Sequence, residues 1–282
     1  MKLASFRSAG GDSYGVVSGD GVVDVGRDMG NRYPTLRAAI AGDALGEIER
    51  MAKGQKPQLA MSDVTLLPPI TDPEKIICIG LNYRKHVLEA GRKIPDVPSL
   101  FLRLTNTLVP HGGAMIRPKV SADFDYECEL ALIIGKGGRH IDKADAFDHI
   151  AGYSCFNDGS LRDYQLKHSV SIGKNFLATG GFGPYLVTAD EVGDAGKLDI
   201  ATRINGTQVQ HGNTSDFIFD IPYLIAYLST FTPLSPGDVI ATGTPEGVGL
   251  ARKPPLWLKP GDTIEVDIEK VGVLRNTIED ER

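Results

Sequence analysis

The apolar and polar pattern of the amino-terminal quarter of the chain predicts short strands followed by two helices. Residues 1–27 contain brief strand patterns separated by glycine-rich turns. Apolar residues at helical spacing follow at 35–41 and 45–53. Residues 55–73 contain four prolines and read as a connection. We therefore predict a small amino-terminal α/β domain of residues 1–70.

The remaining residues, 71–282, are predicted to form one larger domain in which strands outnumber helices. Lys75–Ile79 has the continuous apolar character of a buried strand. The clearest long helix is 216–231, whose apolar residues recur at helical spacing, with Asp220 as a candidate N-cap. Many strands with few helices favour the α+β fold class.

Composition narrows the class of protein without identifying it. The 282 residues carry a net charge of −6 with no long basic run, which argues against a nucleic-acid partner. No run of about 18 apolar residues appears, so we expect no membrane span. Three cysteines, Cys78, Cys128 and Cys155, lie in apolar contexts and are expected to be free thiols. These features predict a cytoplasmic protein.

The segment Asp123–Leu130 is the most informative part of the chain. If it is a strand, Glu127 and Glu129 share one face, about 7 Å apart, while the residues between and after them face apolar surroundings. Two buried carboxylates repel each other, and a hard cation between them removes that cost. An exposed strand face with two solvated glutamates is the alternative. A third carboxylate, Asp158, follows another strand-like segment.

Further polar residues occur at intervals along the larger domain. His86 and Glu89 stand at i and i+3 and are neighbours if their segment is helical. The alternative is a surface helix with an incidental contact. Lys174 follows a glycine, and Thr244 lies in the turn Thr242-Gly-Thr-Pro245.

Together and in this order, these motifs resemble the fumarylacetoacetate hydrolase family over roughly residues 72–280. The segment 209–249 is most similar to small bacterial members, which include acylpyruvases, fumarylpyruvate hydrolases and hydroxyhepta-dienedioate isomerases. The resemblance implies a mixed β-sheet rolled into an irregular barrel or sandwich. It also implies a homodimer.

The resemblance assigns a metal site and a base. Glu127, Glu129 and Asp158 occupy the positions of the family's metal ligands. We expect Mg²⁺ there, with Mn²⁺ or Ca²⁺ as alternatives. His86 matches the family's water-activating base and Glu89 its orienting carboxylate, both on a segment that acts as a lid.

The resemblance also implies several contacts to substrate. Lys174 matches a lysine that stabilises an enolate or carries its proton, and Arg103 stands where relatives often have lysine and is expected to bind a substrate carboxylate. Gln165 and Thr244 match substrate-contacting positions. Leu177 departs from the family, because many relatives have aspartate there.

Three charged neighbours of these residues are expected to have no catalytic role. Asp125 shares the face of the two glutamates but matches no ligand position, so we interpret it as solvated or structural. Arg162 and Asp163 are expected to form a structural ion pair beside the metal strand.

The resulting hypothesis is a metal-dependent hydrolase that cleaves the C–C bond of a β-diketo acid, such as an acylpyruvate, fumarylpyruvate or another 2,4-dioxo acid, through an enolate. An oxaloacetate-type decarboxylase and a dienol isomerase of aromatic catabolism use the same enolate and remain alternatives. A dicarboxylate-binding protein is the non-enzymatic alternative, which the His86–Glu89 pair disfavours.

Overall fold

Strands dominate the computed structural model, which describes all residues from 1 to 282. The strands are β1 Lys2–Ser8, β2 Gly11–Ser18, β3 Gly21–Asp24, β4 Leu59–Ala60, β5 Thr65–Leu66, β6 Ile76–Gly80, β7 Ser99–Leu102, β8 Leu108–Val109, β9 Ala114–Arg117, β10 Phe124–Asp125, β11 Cys128–Ile134, β12 Ile150–Asn157, β13 Ser160–Leu161, β14 Gly180–Thr188, β15 Asp199–Ile204, β16 Thr207–Asn213, β17 Val239–Ala241, β18 Thr263–Ile268 and β19 Gly272–Asp280. The α-helices are α1 Gly26–Met29, α2 Leu36–Ala41, α3 Leu45–Ala52, α4 Arg84–Glu89, α5 Arg162–Lys167, α6 Val170–Lys174, α7 Ala189–Val192 and α8 Ile221–Phe231.

The strands form two large mixed sheets and one small one. A twelve-stranded sheet follows the order β4-β3-β2-β1-β14-β12-β11-β17-β6-β7, with β5 and β8 paired off this path. A five-stranded sheet has the order β16-β15-β18-β19-β9, and β10 pairs with β13. The predicted α+β class is confirmed, and the sheets are mixed and not closed. The two edge strands of the large sheet are β4 and β7.

The central strand β11 is buried on both faces, which explains its continuous apolar sequence. Leu130, Leu132 and Ile134 pack into a core shared with α8 and the five-stranded sheet. Ala131 and Ile133 point to the opposite face and pack in a core that includes residues of α2 and α3. Because side chains alternate between the two faces of a strand, β11 contributes to the cores on both sides of the large sheet.

The amino-terminal residues extend the sheet of the larger region. Strand β1 pairs antiparallel with β14, with Lys2 opposite Val187 and Leu3 opposite Leu186. Leu3 also shares a core with Phe156 of β12 and Phe182 of β14. The division of the chain near residue 70 stays a prediction, and this shared core joins the two sides of it.

Helix α8 begins later than the sequence pattern predicted. Residues 214–216 form a 3₁₀ turn, and the α-helix starts at Ile221. Asp220 is the N-cap as predicted, because its Oδ1 accepts the N–H of Tyr223 at 2.8 Å. The capping side chain, more than the apolar spacing, thus sets where the helix begins.

The cysteines agree with a further expectation. Cys78, Cys128 and Cys155 are free and buried. Burial raises the pKa of the Cys128 thiol well above its ordinary value, so this sulfur is unreactive. None of the helices is long and apolar enough to cross a membrane.

The shared core predicts that both parts of the chain unfold together. Leu3→Ala removes a fully buried side chain and should lower the free energy of unfolding by about 2–5 kcal/mol. Calorimetry should show one thermal transition that moves as a whole. Lys2→Ala, at an exposed position of the same strand, is the matched control and should have little effect. Two transitions, only one of which moves, would contradict this prediction.

Candidate active site

Three buried carboxylates meet where β11 begins and β12 ends. Glu127 and Glu129 flank Cys128, the first residue of β11, and Asp158 directly follows β12. Antiparallel pairing places Cys128 opposite Asn157, and the Glu127 carbonyl accepts the N–H of Asp158 at 3.0 Å. One carboxylate oxygen from each acidic residue lies within 4.8 Å of the other two. The three predicted metal ligands are therefore gathered in one place.

The ammonium group of Lys174 lies between two of these carboxylates. Its Nζ donates to Glu127 Oε2 and to Asp158 Oδ2, each at 2.6 Å, and to the Asp158 carbonyl at 2.9 Å. The residue ends helix α6, which Ser169 caps by accepting the N–H of Ile172. Lys174 is thus a direct partner of the metal-site carboxylates.

Two buried arginines contact the same carboxylates. Arg103 Nη1 donates to Asp158 Oδ1 at 2.6 Å, and Arg162 Nη2 donates to Glu127 Oε1 at 2.7 Å. Arg162 Nε also donates to Asp125 Oδ2 at 2.7 Å. Charge-assisted hydrogen bonds of this kind fix the orientation of each carboxylate.

Glu127 and Glu129 have different electrostatic surroundings. Burial opposes ionisation of Glu127, but nearby cations, Lys174 foremost, outweigh it and lower the pKa to about 2. Glu129 has no cation in contact and accepts the N–H of Gly243 at 2.9 Å. Burial, followed by the charges of Asp158 and Glu127, raises the pKa of Glu129 well above its ordinary value. A cation beside Glu129 would remove this penalty.

The donor set fits a hard divalent cation. The three side chains offer only carboxylate oxygens, the ligands preferred by Mg²⁺, Mn²⁺ and Ca²⁺. The ion pairs around the site join Asp125, Glu127 and Asp158 to Arg103, Arg162 and Lys174. These charges balance, so ionised Glu129 leaves one negative charge without a partner.

Helix α4 holds the predicted base and its orienting carboxylate. His86 Nδ1 lies 3.4 Å from Glu89 Oε2. The Glu89 carboxylate also accepts the N–H of Gly247, at 2.9 Å from Oε1 and 3.1 Å from Oε2. Gly247 has φ of 96°, a conformation that favours glycine. The end of α4 is thereby tied to the 243–249 turn, and the role of this segment as a lid stays a prediction.

The chain preceding α4 is also held firmly. Asn82 Nδ2 donates to the carbonyls of Phe219 and Thr242, and its Oδ1 accepts the N–H of Phe219. Leu81 has φ of 58°, which costs roughly 1–3 kcal/mol for a residue other than glycine. The buried amide of Asn82 offsets this strain and fixes the chain that leads into α4.

A cavity of about 480 Å³ brings most of the predicted residues together. Seven of the nine line it: His86, Glu89, Glu127, Glu129, Gln165, Lys174 and Thr244. The side chains of Asp158 and Arg103 are fully buried behind this wall. A small ligand in the cavity can therefore touch the carboxylates, the histidine and the lysine at once.

The predicted substrate contacts differ in their placement. Gln165 Oε1 accepts from Arg162 at 2.8 Å, and Thr244 Oγ1 accepts from Gln210 at 2.9 Å. Arg103 instead directs its guanidinium to Asp158, to the Gly159 carbonyl and to two threonine hydroxyls. Its role as a substrate contact stays a prediction, and its geometry supports a role in orienting Asp158. Leu177 is exposed and does not line the cavity.

Sequence reasoning misjudged the partner of Arg162 and left two interpretations open for Asp125. Arg162 lines the cavity and pairs with Asp125 and Glu127, whereas Asp163 accepts a hydrogen bond from Ser121. The expected pair of Arg162 with Asp163 is therefore wrong. Asp125 is buried and not solvated, and it is structural as the second interpretation held. Because Asp125 shares a strand face with the two glutamates, the sequence could have indicated that it is buried beside them.

Comparison with known proteins shows which family the chain resembles over most of its length. The family model described as Fumarylacetoacetate (FAA) hydrolase C-terminal matches residues 75–279. The human protein named oxaloacetate tautomerase FAHD2A, mitochondrial, is 39% identical over 292 aligned residues, covering 99% of this chain and 91% of that protein.

Solved structures show the same fold over the whole chain. Maleylpyruvate hydrolase from Sphingobium sp. SYK-6 has a TM-score of 0.85 at 31% identity, with both chains fully covered. Its complex with manganese(II) and pyruvate has a TM-score of 0.84 at 30% identity and the same coverage. A 5-carboxymethyl-2-hydroxymuconate delta-isomerase from Mycobacterium smegmatis has a TM-score of 0.79 at 29% identity, again over both full chains. The chain therefore belongs to the fumarylacetoacetate hydrolase family of enzymes.

Proposed function

We propose that this chain catalyses metal-dependent proton transfer at C3 of a 2-oxo acid, interconverting the keto and enol forms of a substrate such as oxaloacetate. The observation that carries the proposal is the buried carboxylate cluster, two of whose members, Glu127 and Glu129, line the same cavity as His86 and Lys174. Similarity to a human oxaloacetate tautomerase over 99% of the chain supports this chemistry.

The proposed metal ligands are Glu127, Glu129 and Asp158, and the proposed ion is Mg²⁺. Mn²⁺ is the alternative, because a related hydrolase is described in complex with manganese(II) and pyruvate. When bound, the ion supplies positive charge that stabilises the developing enolate. Arg162 and Arg103 keep two of the carboxylates in fixed orientations through their hydrogen bonds.

His86 is the proposed base for the proton at C3. With Nδ1–H donated to Glu89, the other ring nitrogen, Nε2, is the basic one. It takes the proton from C3, and the proton is returned to the substrate oxygen to complete the enol. Lys174 supplies a fixed ammonium charge beside the carboxylates, where it stabilises negative charge on that oxygen.

Hydrolysis of a β-diketo acid is the second candidate, and the His86–Glu89 pair favours it. A histidine oriented by a carboxylate can make water nucleophilic, and maleylpyruvate hydrolase shares the fold. Release of pyruvate from an acylpyruvate or from maleylpyruvate would support hydrolysis. An enzyme that enolises oxaloacetate but releases no pyruvate from these two substrates would not be their hydrolase.

The homodimer is proposed from family resemblance, and light scattering that finds a monomer would contradict it.

Removing one metal-site carboxylate should abolish activity, and circular dichroism separates this loss from the destabilisation expected when Arg103 and Lys174 lose a charged partner. Asp158→Asn keeps the shape of the side chain and deletes its charge, so oxaloacetate tautomerisation should fall by at least about 100-fold. Ultraviolet absorbance of the enol measures the rate. Asp163→Asn, a neighbouring change outside the cavity, should leave the rate nearly unchanged. Full activity of the wild-type enzyme after exhaustive EDTA treatment would end the metal hypothesis.

Glu129→Gln should stabilise the metal-free protein above neutral pH. The pKa of Glu129 is raised in the folded state. The contribution of this carboxyl group to stability is therefore fully present below its ordinary pKa of 4.5 and is lost as pH rises through the pKa of the folded state. A glutamine amide does not ionise, so the variant does not lose this stability. Metal-free Tm should therefore be higher for Glu129→Gln than for wild type at pH 8, and added Mg²⁺ should raise only the wild-type Tm. A lower metal-free Tm for the variant would contradict this assignment.

His86→Ala should reduce turnover of the preferred substrate by roughly 10²–10⁴-fold, the usual contribution of general acid–base catalysis. Glu89→Gln should give a smaller reduction, because the histidine remains while its orientation weakens. His168→Ala, at an exposed histidine on the C-cap of α5, is the control. Unchanged kcat for His86→Ala would show that His86 is not the base.

A further inference from the structure

A buried glutamine joins three segments around the active site. Gln210 lies on β16 and is almost fully buried. Its Oε1 accepts the backbone N–H of Cys128 at 3.1 Å and the hydroxyl of Thr202 at 2.9 Å. Its Nε2 donates to Thr244 Oγ1 at 2.9 Å and to the Pro245 carbonyl at 3.0 Å. All four hydrogen-bonding positions of this amide are therefore used within the chain.

An irregularity in strand pairing directs the Gln210 side chain towards the site. The register between β15 and β16 shifts after Thr202, which lies opposite Gln210, and Val209 is an extra residue on β16. Such a β-bulge changes the direction in which neighbouring side chains point. From this position the Gln210 amide reaches both the start of β11 and the 243–249 turn.

The partners of Gln210 fix which end of its amide faces which segment. The backbone nitrogen of Cys128 can only donate a hydrogen bond, and the Pro245 carbonyl can only accept one. A rotation of the amide by 180° would set donor against donor at Cys128 and acceptor against acceptor at Pro245. The nitrogen of the Gln210 amide therefore faces the 243–249 turn.

The direction of this amide determines what the Thr244 hydroxyl can do. The hydroxyl oxygen accepts a hydrogen bond from Gln210 Nε2, and its own hydrogen has no acceptor within the chain. Thr244 lines the cavity, and the residue before it, Gly243, donates its N–H to Glu129 Oε2 at 2.9 Å. The hydrogen of the Thr244 hydroxyl is therefore available to a ligand in the cavity.

We propose that Gln210 is a positioning residue that keeps Thr244 as a hydrogen-bond donor to an oxygen of the bound 2-oxo acid. This rests on the proposed function, which places such an acid in the cavity. An anionic oxygen only accepts hydrogen bonds, so a hydroxyl that is committed to donating suits it. Gln210 also joins the N–H between Glu127 and Glu129 to the turn that carries Thr244. It thereby holds this donor in a fixed place relative to the metal-site carboxylates.

A double-mutant cycle with pyruvate as the probe tests this role. Calorimetry on the Mg²⁺-loaded full chain gives the Kd. Thr244→Val removes the hydroxyl and keeps the shape of the side chain, so the Kd should rise about 10-fold to 100-fold, as expected for a lost hydrogen bond to a charged group. Thr244→Ser keeps a hydroxyl and should recover most of this loss.

Gln210→Glu should reverse the hydrogen bond to Thr244. The new carboxylate still accepts from Cys128 and Thr202 but has no hydrogen to donate. These two donors and the Thr244 hydroxyl favour its ionised form, so Thr244 turns its hydrogen away from the ligand. The Kd should rise about as much as in Thr244→Val. Gln208→Glu adds the same charge at an exposed glutamine of the same strand and should bind pyruvate as the wild type does.

Combining the two changes separates positioning from other effects of the substitution. Thr244→Val has no hydroxyl to turn, so adding Gln210→Glu to it should raise the Kd by less than about threefold. A double variant whose Kd rises by the product of the two single factors would show that Gln210 acts independently of Thr244, through charge or structure, and would overturn the proposal. Unchanged binding in either single variant would overturn it as well.

A second substitution serves if circular dichroism shows that Gln210→Glu does not fold. Gln210→Met is similar in size and has no N–H to donate, so the Thr244 hydroxyl loses its fixed direction and the Kd should rise about threefold to tenfold. An equal rise in the Thr244→Val background would overturn the positioning role and leave the proposed function standing. If the Mg²⁺-loaded wild type does not bind pyruvate, the proposed function fails and the positioning role fails with it.

Discussion

The balance between buried carboxylates and buried cations is the constraint on which the active site depends. Asp125, Glu127 and Asp158 are each held by an ion pair with Arg103, Arg162 or Lys174. Removing one partner would leave an uncompensated charge in the interior, which is strongly destabilising. Glu129 alone lacks a cation in contact, and its raised pKa reports that lack. A cation beside Glu129 would therefore balance the one carboxylate of the cluster that has no ion-pair partner.

Strand pairing determines where this charge cluster forms. The register of β11 and β12 sets Cys128 opposite Asn157, which brings the ends of both strands together. Asn157 Oδ1 accepts the N–H of Glu127 at 3.1 Å, just before regular pairing begins. The apolar residues that bury both faces of β11 hold this register, because a slip of one residue would move every side chain to the opposite face.

The sequence predicted the carboxylate cluster better than the cations around it. Side-chain alternation along one strand and an order of motifs that resembles the family were enough to predict Glu127, Glu129 and Asp158 as metal ligands. The partners of Arg103 and Arg162 depend on contacts across 55 and 35 residues of chain, for which strand alternation gives no signal. The pairing of β1 with β14 was not predicted either, because the residue pattern of a strand does not specify which other strand it pairs with.

One carboxylate joins the predicted base to the 243–249 turn. Glu89 faces His86 and at the same time accepts the N–H of Gly247. Helix α4 is short, so the side chain that faces the imidazole also ties the end of the helix to that turn. In the proposed reaction, the hydrogen bonds that position helix α4 therefore also position the carboxylate that orients the proposed base.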